Sequence, residues 1–213
     1  LRYPSAVFGV LAIPLLAVLA LRLARLRAAV VLAALLAAVH PLLVYYGQEA
    51  RMYTLLVLLG TLAAYVLARA ADRDPPGWRL WAAYVVVAAA AIYTHYFAIF
   101  LLIGLGGAWL LDVAMRRRPF SAALVPFVAA NAAVVLLYLP WLANLVTRLR
   151  VDRSYWTGTL KLNEALLDIA LRFTSGETMA ERMGLWLLLG YAAITLAAVF
   201  GLWRLWPQSR RVA

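Results

Sequence analysis

Tyr45-Tyr46-Gly47-Gln48-Glu49-Ala50-Arg51-Met52-Tyr53 is a polar, ionisable knot set between two long apolar runs, residues 28–46 and 53–69. Its setting decides the fold. The 213-residue chain is 67% hydrophobic and only 14% charged, with a mean hydropathy of +0.88; the apolar share of a soluble domain is nearer half. These values exclude an ordinary water-soluble domain. They indicate an all-α polytopic bundle of transmembrane helices, a single membrane-embedded domain over residues 1–213. A charge at a helix centre in the bilayer costs roughly 2.5–3.5 kcal/mol, so a Gln-Glu-x-Arg cluster at the seam of two spans asks for a function.

Working outward, apolar runs at about 4–21, 28–46, 53–69, 80–95, 97–114, 121–144 and 184–206 predict about seven spans. The stretch from Leu80 to Leu111 is nearly unbroken, and as one helix it would run about 48 Å, too long for a modest tilt. The polar break Tyr93-Thr94-His95-Tyr96 in its middle predicts a hairpin instead. Seven spans place Arg22, Arg25, Arg27, Arg69, Arg73, Arg79, Arg116, Arg117, Arg118, Arg204, Arg210 and Arg211 on one side, while the short connections opposite carry only Arg51, with Arg2 at the amino end and the other basic residues in one long loop. The positive-inside rule then sets the amino end outside and the carboxyl end in the cytoplasm. Pro14, Pro41, Pro126 and Pro140 predict kinks within spans.

The formal charge of +11 is a topology signal in such a chain, not a nucleic-acid footprint. Every basic residue except Lys161 is Arg, which with the abundance of Ala and Leu suggests a GC-rich bacterial genome. With no cysteine there is no disulfide, thiolate metal site or cysteine nucleophile. The tryptophans near span ends (Trp78, Trp81, Trp141, Trp156, Trp186, Trp203 and Trp206) read as an aromatic belt. Residues 147–183 form one long external loop, in which Asn163 caps a helix running to Phe173 with Gly176 beyond its end. Glu164, Asp168 and Arg172 form one polar stripe on that helix, an amphipathic element expected at the membrane interface or packed on the bundle, with its charges solvated.

The sequence has no Gly-rich phosphate loop, no zincin helix and no nucleophile elbow. His40 precedes Pro41 and reads as a hydrogen-bonded structural residue at a kink. The knot is different. Glu49 and Arg51 are two apart, so a regular helix would point them in different directions and keep them from neutralising each other. Gly47 allows a bend beside a ligand. Arg51 is suited to clamp a phosphate, and Glu49 to hold a divalent cation or orient that Arg. The bland alternative is a surface ion pair with tyrosine anchors at the headgroup boundary. Tyr93-Thr94-His95-Tyr96 emerges on the same external side, which strengthens the case for a site there.

These residues resemble a family. Tyr46-Gly47-Gln48-Glu49-Ala50-Arg51-Met52-Tyr53 is similar to a Tyr-x-Gln-Glu-Ala-Arg-x-Tyr segment of bacterial family 39 glycosyltransferases. Those enzymes are relatives of the dolichyl-phosphate-mannose protein mannosyltransferases and the lipid A aminoarabinose transferases. Arg2-Tyr3-Pro4-Ser5-Ala6-Val7-Phe8-Gly9, Tyr93-Thr94-His95-Tyr96-Phe97, Tyr138-Leu139-Pro140-Trp141 and Tyr155-Trp156 resemble further family segments in matching order. The resemblance implies a GT-C-like bundle in a bacterial inner membrane that moves a sugar from a polyprenyl-phosphate carrier to an acceptor on the external face. It implies donor-phosphate and substrate-binding roles for Gln48, Glu49, Arg51, Tyr53, Tyr93 and His95, with Glu49 the candidate for a divalent metal. It places the catalytic carboxylate in a first external loop that would precede Leu1, so the fragment alone is expected to be inactive. A transporter or lipid flippase is the competing reading, predicting midplane charges and internal repeats, of which no clear repeat is seen; a non-catalytic scaffold subunit is a third.

The topology is directly testable because the chain has no cysteine. Ala50→Cys and Tyr96→Cys are each expected to react with a membrane-impermeant thiol reagent added outside the cell. Labelling from the cytosolic side alone would contradict the assignment.

Overall fold

The computed structural model describes residues 2–73, 77–116, 120–151, 162–176 and 181–209. Among them the regular secondary structure is all helix, in the order α1 (Tyr3–Ala24), α2 (Arg27–Val39), α3 (Pro41–Gln48), α4 (Tyr53–Ala71), α5 (Trp78–Thr94), α6 (Ala98–Arg116), α7 (Phe120–Val151), α8 (Leu162–Ser175) and α9 (Glu181–Ser209). Each apolar run of the sequence forms a helix, and the second forms two. α2 and α3 are bent by 50° against each other at His40, where Pro41 cannot donate to the helix ladder and takes the first position of α3 instead.

By length and composition four helical stretches can cross a membrane (Tyr3–Ala24, Tyr53–Ala71, Ala98–Met115 and Ala122–Thr147), or five with the bent pair taken as one span. Trp78–Thr94 and Met183–Ala197 are apolar but shorter. The chain is therefore a polytopic helical membrane protein, with four to five candidate spans among the described residues. The 17 residues of α5 reach only about 25 Å. The predicted hairpin is present: α5 ends at Thr94, α6 begins at Ala98, and Trp81 early in α5 meets Trp109 late in α6 with ring centroids 5.3 Å apart.

α1 packs on α2 and α4, α4 on α5, α5 on α7, and α8 on α9 and α3. Small side chains let these helices approach closely, as lipid-embedded interfaces require. Ala12, Ala63, Ala88 and Ala91 are fully buried, and a Cβ on Gly60 would overlap the Leu101 side chain. The aromatic heart of the bundle joins Trp81, Tyr84, Trp109 and Phe127, with Trp109 stacked on Phe127 at 5.8 Å. Trp81 is buried in this core rather than standing in an aromatic belt, whereas Trp78, Trp141 and Trp186 are exposed. Trp156, and the side chains of Trp203 and Trp206, lie outside the described residues. The Tyr84 hydroxyl donates to Asn131 Oδ1 (3.2 Å), and the Asn131 amide donates to the Phe127 carbonyl, which satisfies polar groups that lipid could not.

The two ends of the bundle differ. At one, Arg22 donates to Asp72 at 2.6 Å while Arg25 stands 3.8 Å from the same carboxylate, tying the ends of α1 and α4 together. At the other lies the knot. α8 ends as the sequence predicts, with Gly176 at φ +79° beyond it and its N–H bonded to the Arg172 carbonyl. Asp168 and Arg172 pair at 2.7 Å on its exposed face; the Glu164 side chain, the residue before α8 and most of the loop's tip lie outside the described residues.

Removing the Phe127 ring from between Trp81, Tyr84 and Trp109 leaves a cavity that lipid cannot fill. Phe127→Ala is expected to cost about 3 kcal/mol in reversible unfolding from detergent micelles, and Phe100→Ala, on an exposed face, under about 1 kcal/mol.

Candidate functional site

The knot is a break in helicity. α3 ends at Gln48 and α4 starts at Tyr53, so residues 49–52 leave the helix, with Glu49 extended at ψ 145°. Outside a helix the chain's carbonyls need other donors. One is supplied from α1: the Ser5 hydroxyl, 6% exposed, donates to the Arg51 carbonyl at 3.1 Å. Ser5 belongs to the Pro-Ser-Ala segment near the amino end and Arg51 to the Gln-Glu-Ala-Arg segment, so this bond joins two motifs 46 positions apart.

Because the segment is not a regular helix, the expectation that Glu49 and Arg51 point apart fails. Arg51 Nε lies 3.4 Å from Glu49 Oε2, an ion pair that lacks hydrogen-bond alignment and leaves that buried oxygen without a hydrogen-bond partner. The Arg51 side chain is 60% exposed. Its pKa is raised, first by the Glu49 carboxylate and then by a hydrogen bond to Tyr53, so it presents a fixed positive charge outward. Gln48 is exposed at the end of α3, and a Cβ on Gly47 would meet open space.

Rings connect the knot to the α5–α6 turn. Tyr45 touches Tyr46 (5.2 Å), Tyr46 touches Tyr53 (4.4 Å), and Tyr53 stands 5.9 Å from His95. His95 stacks on Tyr96 at 4.9 Å, and its Nδ1 accepts the Phe97 N–H at 3.1 Å, which leaves Nε2 carrying the proton in the neutral ring. The structure thus brings Glu49, Arg51, Tyr53 and His95 to one end of the bundle. Tyr93 points elsewhere: its hydroxyl donates to the Leu137 carbonyl (2.8 Å) and its ring meets Tyr138 and Trp141 on α7.

Below the knot lies a cavity of about 500 Å³ between α1, α2, α3, α4 and α8. Its wall is largely aliphatic, with His40, Tyr46, Tyr53, Thr54 and Phe173 among the lining residues. His40 is not hydrogen-bonded as the sequence suggested. Both ring nitrogens are buried without a partner among the described residues, and the ring packs edge-on against Phe173 (5.0 Å) and Tyr191 (6.2 Å). Thr54 and Phe173 carry no motif that marks them in the sequence; Thr54 could have been found only once the start of α4 was known.

Among the described residues no three of His, Asp and Glu come close enough to share a metal ion. A divalent cation prefers several oxygen ligands. Among the described residues the charged neighbour of the Glu49 carboxylate is the Arg51 guanidinium.

The described residues thus form a helical membrane bundle with an exposed Arg51, a half-buried Glu49 beside it and a row of aromatic rings at one end. The chain belongs to the dolichyl-phosphate-mannose-protein mannosyltransferase family, whose model matches residues 1–152. That match includes α1 to α7, the knot and the His95 turn, and it makes the chain a member of a glycosyltransferase family. Comparison with curated proteins and with solved structures returns no significant match.

Burial lowers the His95 pKa below the usual 6.5. The neutral ring is favoured in the folded chain, so its contribution is complete above pH 6.5 and declines as pH falls below it, where the unfolded chain takes the proton first. A histidine NMR titration is expected to show a midpoint below 6.5 for the resonance lost in His95→Gln. A midpoint at or above that value would contradict the burial.

Proposed function

We infer that the protein takes part in transfer of a glycosyl group from a polyprenyl-phosphate-linked sugar to an acceptor on the external face of a bacterial inner membrane, as a family 39 type enzyme. The observation that carries this reading is the exposed Arg51 guanidinium, paired with Glu49 and adjoining Tyr53, whose ring in turn faces His95. Arg51 would bind the donor phosphate, Glu49 and Gln48 would orient it, and Tyr53 and His95 would wall the sugar. Tyr93 would act at the margin, through the aromatic group on α7.

In this reaction the acceptor hydroxyl attacks the anomeric carbon. The bond from that carbon to the phosphate oxygen breaks, and the carrier phosphate leaves with the electron pair. A fixed cation at the leaving group stabilises the charge that grows there, and preorganised groups of this kind are worth roughly 10²–10³ in rate. The acceptor's proton passes to a general base, which by resemblance would be a carboxylate. The donor is a lipid dissolved in the same membrane, which suits a site at a span end.

In the full-length enzyme, Arg51→Ala is expected to lower kcat for sugar transfer from the lipid carrier by about 100-fold or more, with Arg51→Lys retaining part of the rate. Transfer at the wild-type rate in Arg51→Ala would remove the assignment.

A further inference from the structure

The end of the bundle opposite the knot gathers arginines more closely than topology alone requires. Basic residues that only set orientation stand solvated in short loops. Arg22 does not. It is half-buried near the end of α1, its Nη1 donates to Asp72 Oδ2 at 2.6 Å, and its Nε is buried without a hydrogen-bond partner among the described residues. Its guanidinium carbon lies 5.4 Å from the centre of the Tyr65 ring, and that of Arg69 lies 6.0 Å from the same ring. Two like charges therefore share one aromatic ring on α4. Arg25 adds a third. It is the C-cap of α1, in the left-handed region at φ 55°, and its guanidinium stands 3.8 Å from Asp72, beyond hydrogen-bond range.

Against these three guanidiniums the cluster sets one carboxylate among the described residues, Asp72, so positive charge is in excess. Donors stay open to a ligand: the buried Arg22 Nε, and the Arg25 fork, whose side chain is 70% exposed. α2 starts two residues on, at Arg27, with no side-chain cap and no acidic residue in its first turn, so its first N–H groups add to the positive field. An anion answers all of these together, and the planar fork of arginine suits phosphate oxygens.

The surrounding apolar side chains favour a lipid over a free anion. Leu21 and Leu23 flank Arg22, Leu26 separates Arg25 from Arg27, and all three leucines are exposed. They continue into exposed Val18 on α1 and Val31 on α2, two helices that pack together. Trp78, at the start of α5, is exposed with Arg79 over its ring at 5.7 Å, an interfacial tryptophan that sets this end at headgroup depth. A phosphate held by the arginines thus has acyl-chain surface beside it.

We propose that the Arg22, Arg25 and Arg69 cluster is a binding site for the phosphate of an anionic phospholipid, seated across the ends of α1, α2 and α4. Asp72 and Tyr65 are positioning residues that hold Arg22 and Arg69 together, and Arg25 supplies the exposed fork. The proposal is independent of the glycosyl-transfer reading.

The test is equilibrium binding of radiolabelled phosphatidylglycerol to the full-length protein in detergent micelles, with phosphatidylcholine or inorganic phosphate as competitor. Phosphatidylcholine carries the same phosphate diester and chains without net charge. Wild type is expected to prefer phosphatidylglycerol about tenfold, and millimolar inorganic phosphate to leave it bound. Arg25→Gln is expected to weaken phosphatidylglycerol about fivefold, and Arg25→Gln with Arg69→Gln about twentyfold, with phosphatidylcholine unchanged. Arg79→Gln, at the same end but against Trp78, is the control and is expected to stay within about twofold of wild type. Equal affinity of wild type for the two lipids, unchanged phosphatidylglycerol binding in Arg25→Gln, or an equal loss in Arg79→Gln would overturn the proposal. Displacement of phosphatidylglycerol by inorganic phosphate would overturn the lipid assignment. Arg25 is exposed, so its substitution spares the link between Arg22 and Asp72; if the double variant fails to fold, Arg25→Gln decides alone.

Discussion

The arrangement depends on one constraint: the backbone must leave the helix between Gln48 and Tyr53 at the edge of an apolar bundle, and its polar groups must still be bonded. The bond from Ser5 to the Arg51 carbonyl meets part of that demand. It is made possible by the close packing of α1 on α4, where a Cβ on Gly9 would sit 3.6 Å from the Thr54 methyl. With the backbone so held, three consequences appear together. Arg51 turns outward, Glu49 can reach it from two residues away, and Thr54 loses the carbonyl that a helical threonine would normally use.

Most of the fold was legible because hydropathy and proline act locally. Seven apolar runs became helices, the polar Tyr93–Tyr96 break became the α5–α6 turn, and His40-Pro41 became a 50° bend. What escaped was tertiary. Trp81 reads equally well as an interfacial anchor or a core residue, since lipid and bundle interior are alike apolar, and only its contacts with Trp109 and Phe127 decide. About seven spans are expected from the apolar runs, and among the described residues four helices, or five with the bent pair, have the length and composition of a span, Trp78–Thr94 being apolar but shorter.

The site was half legible. The residue types at Glu49, Arg51, Tyr53 and His95 pointed to one end of the bundle, where an ion pair joins the first two and a ring contact the last two. The relation between Glu49 and Arg51 was misjudged because helical periodicity was applied to a segment that is not helical. Tyr93, two residues from His95, faces α7 instead, as the rotation of α5 dictates. The contribution of α8 was invisible: an amphipathic stripe tells which face is wet, not that Phe173 closes a cavity against His40.

The chain belongs to a glycosyltransferase family, and the end of the bundle where Arg51, the aromatic rings and the apolar cavity adjoin is the place we propose for the transfer. The most direct test is photolabelling of the full-length enzyme with a prenyl-phosphate sugar that carries a diazirine on the sugar ring, followed by peptide mapping. The account predicts label on peptides containing residues 45–53 and 93–97 together. Label confined to the opposite end, around Arg22, Arg25 and Asp72, would contradict it.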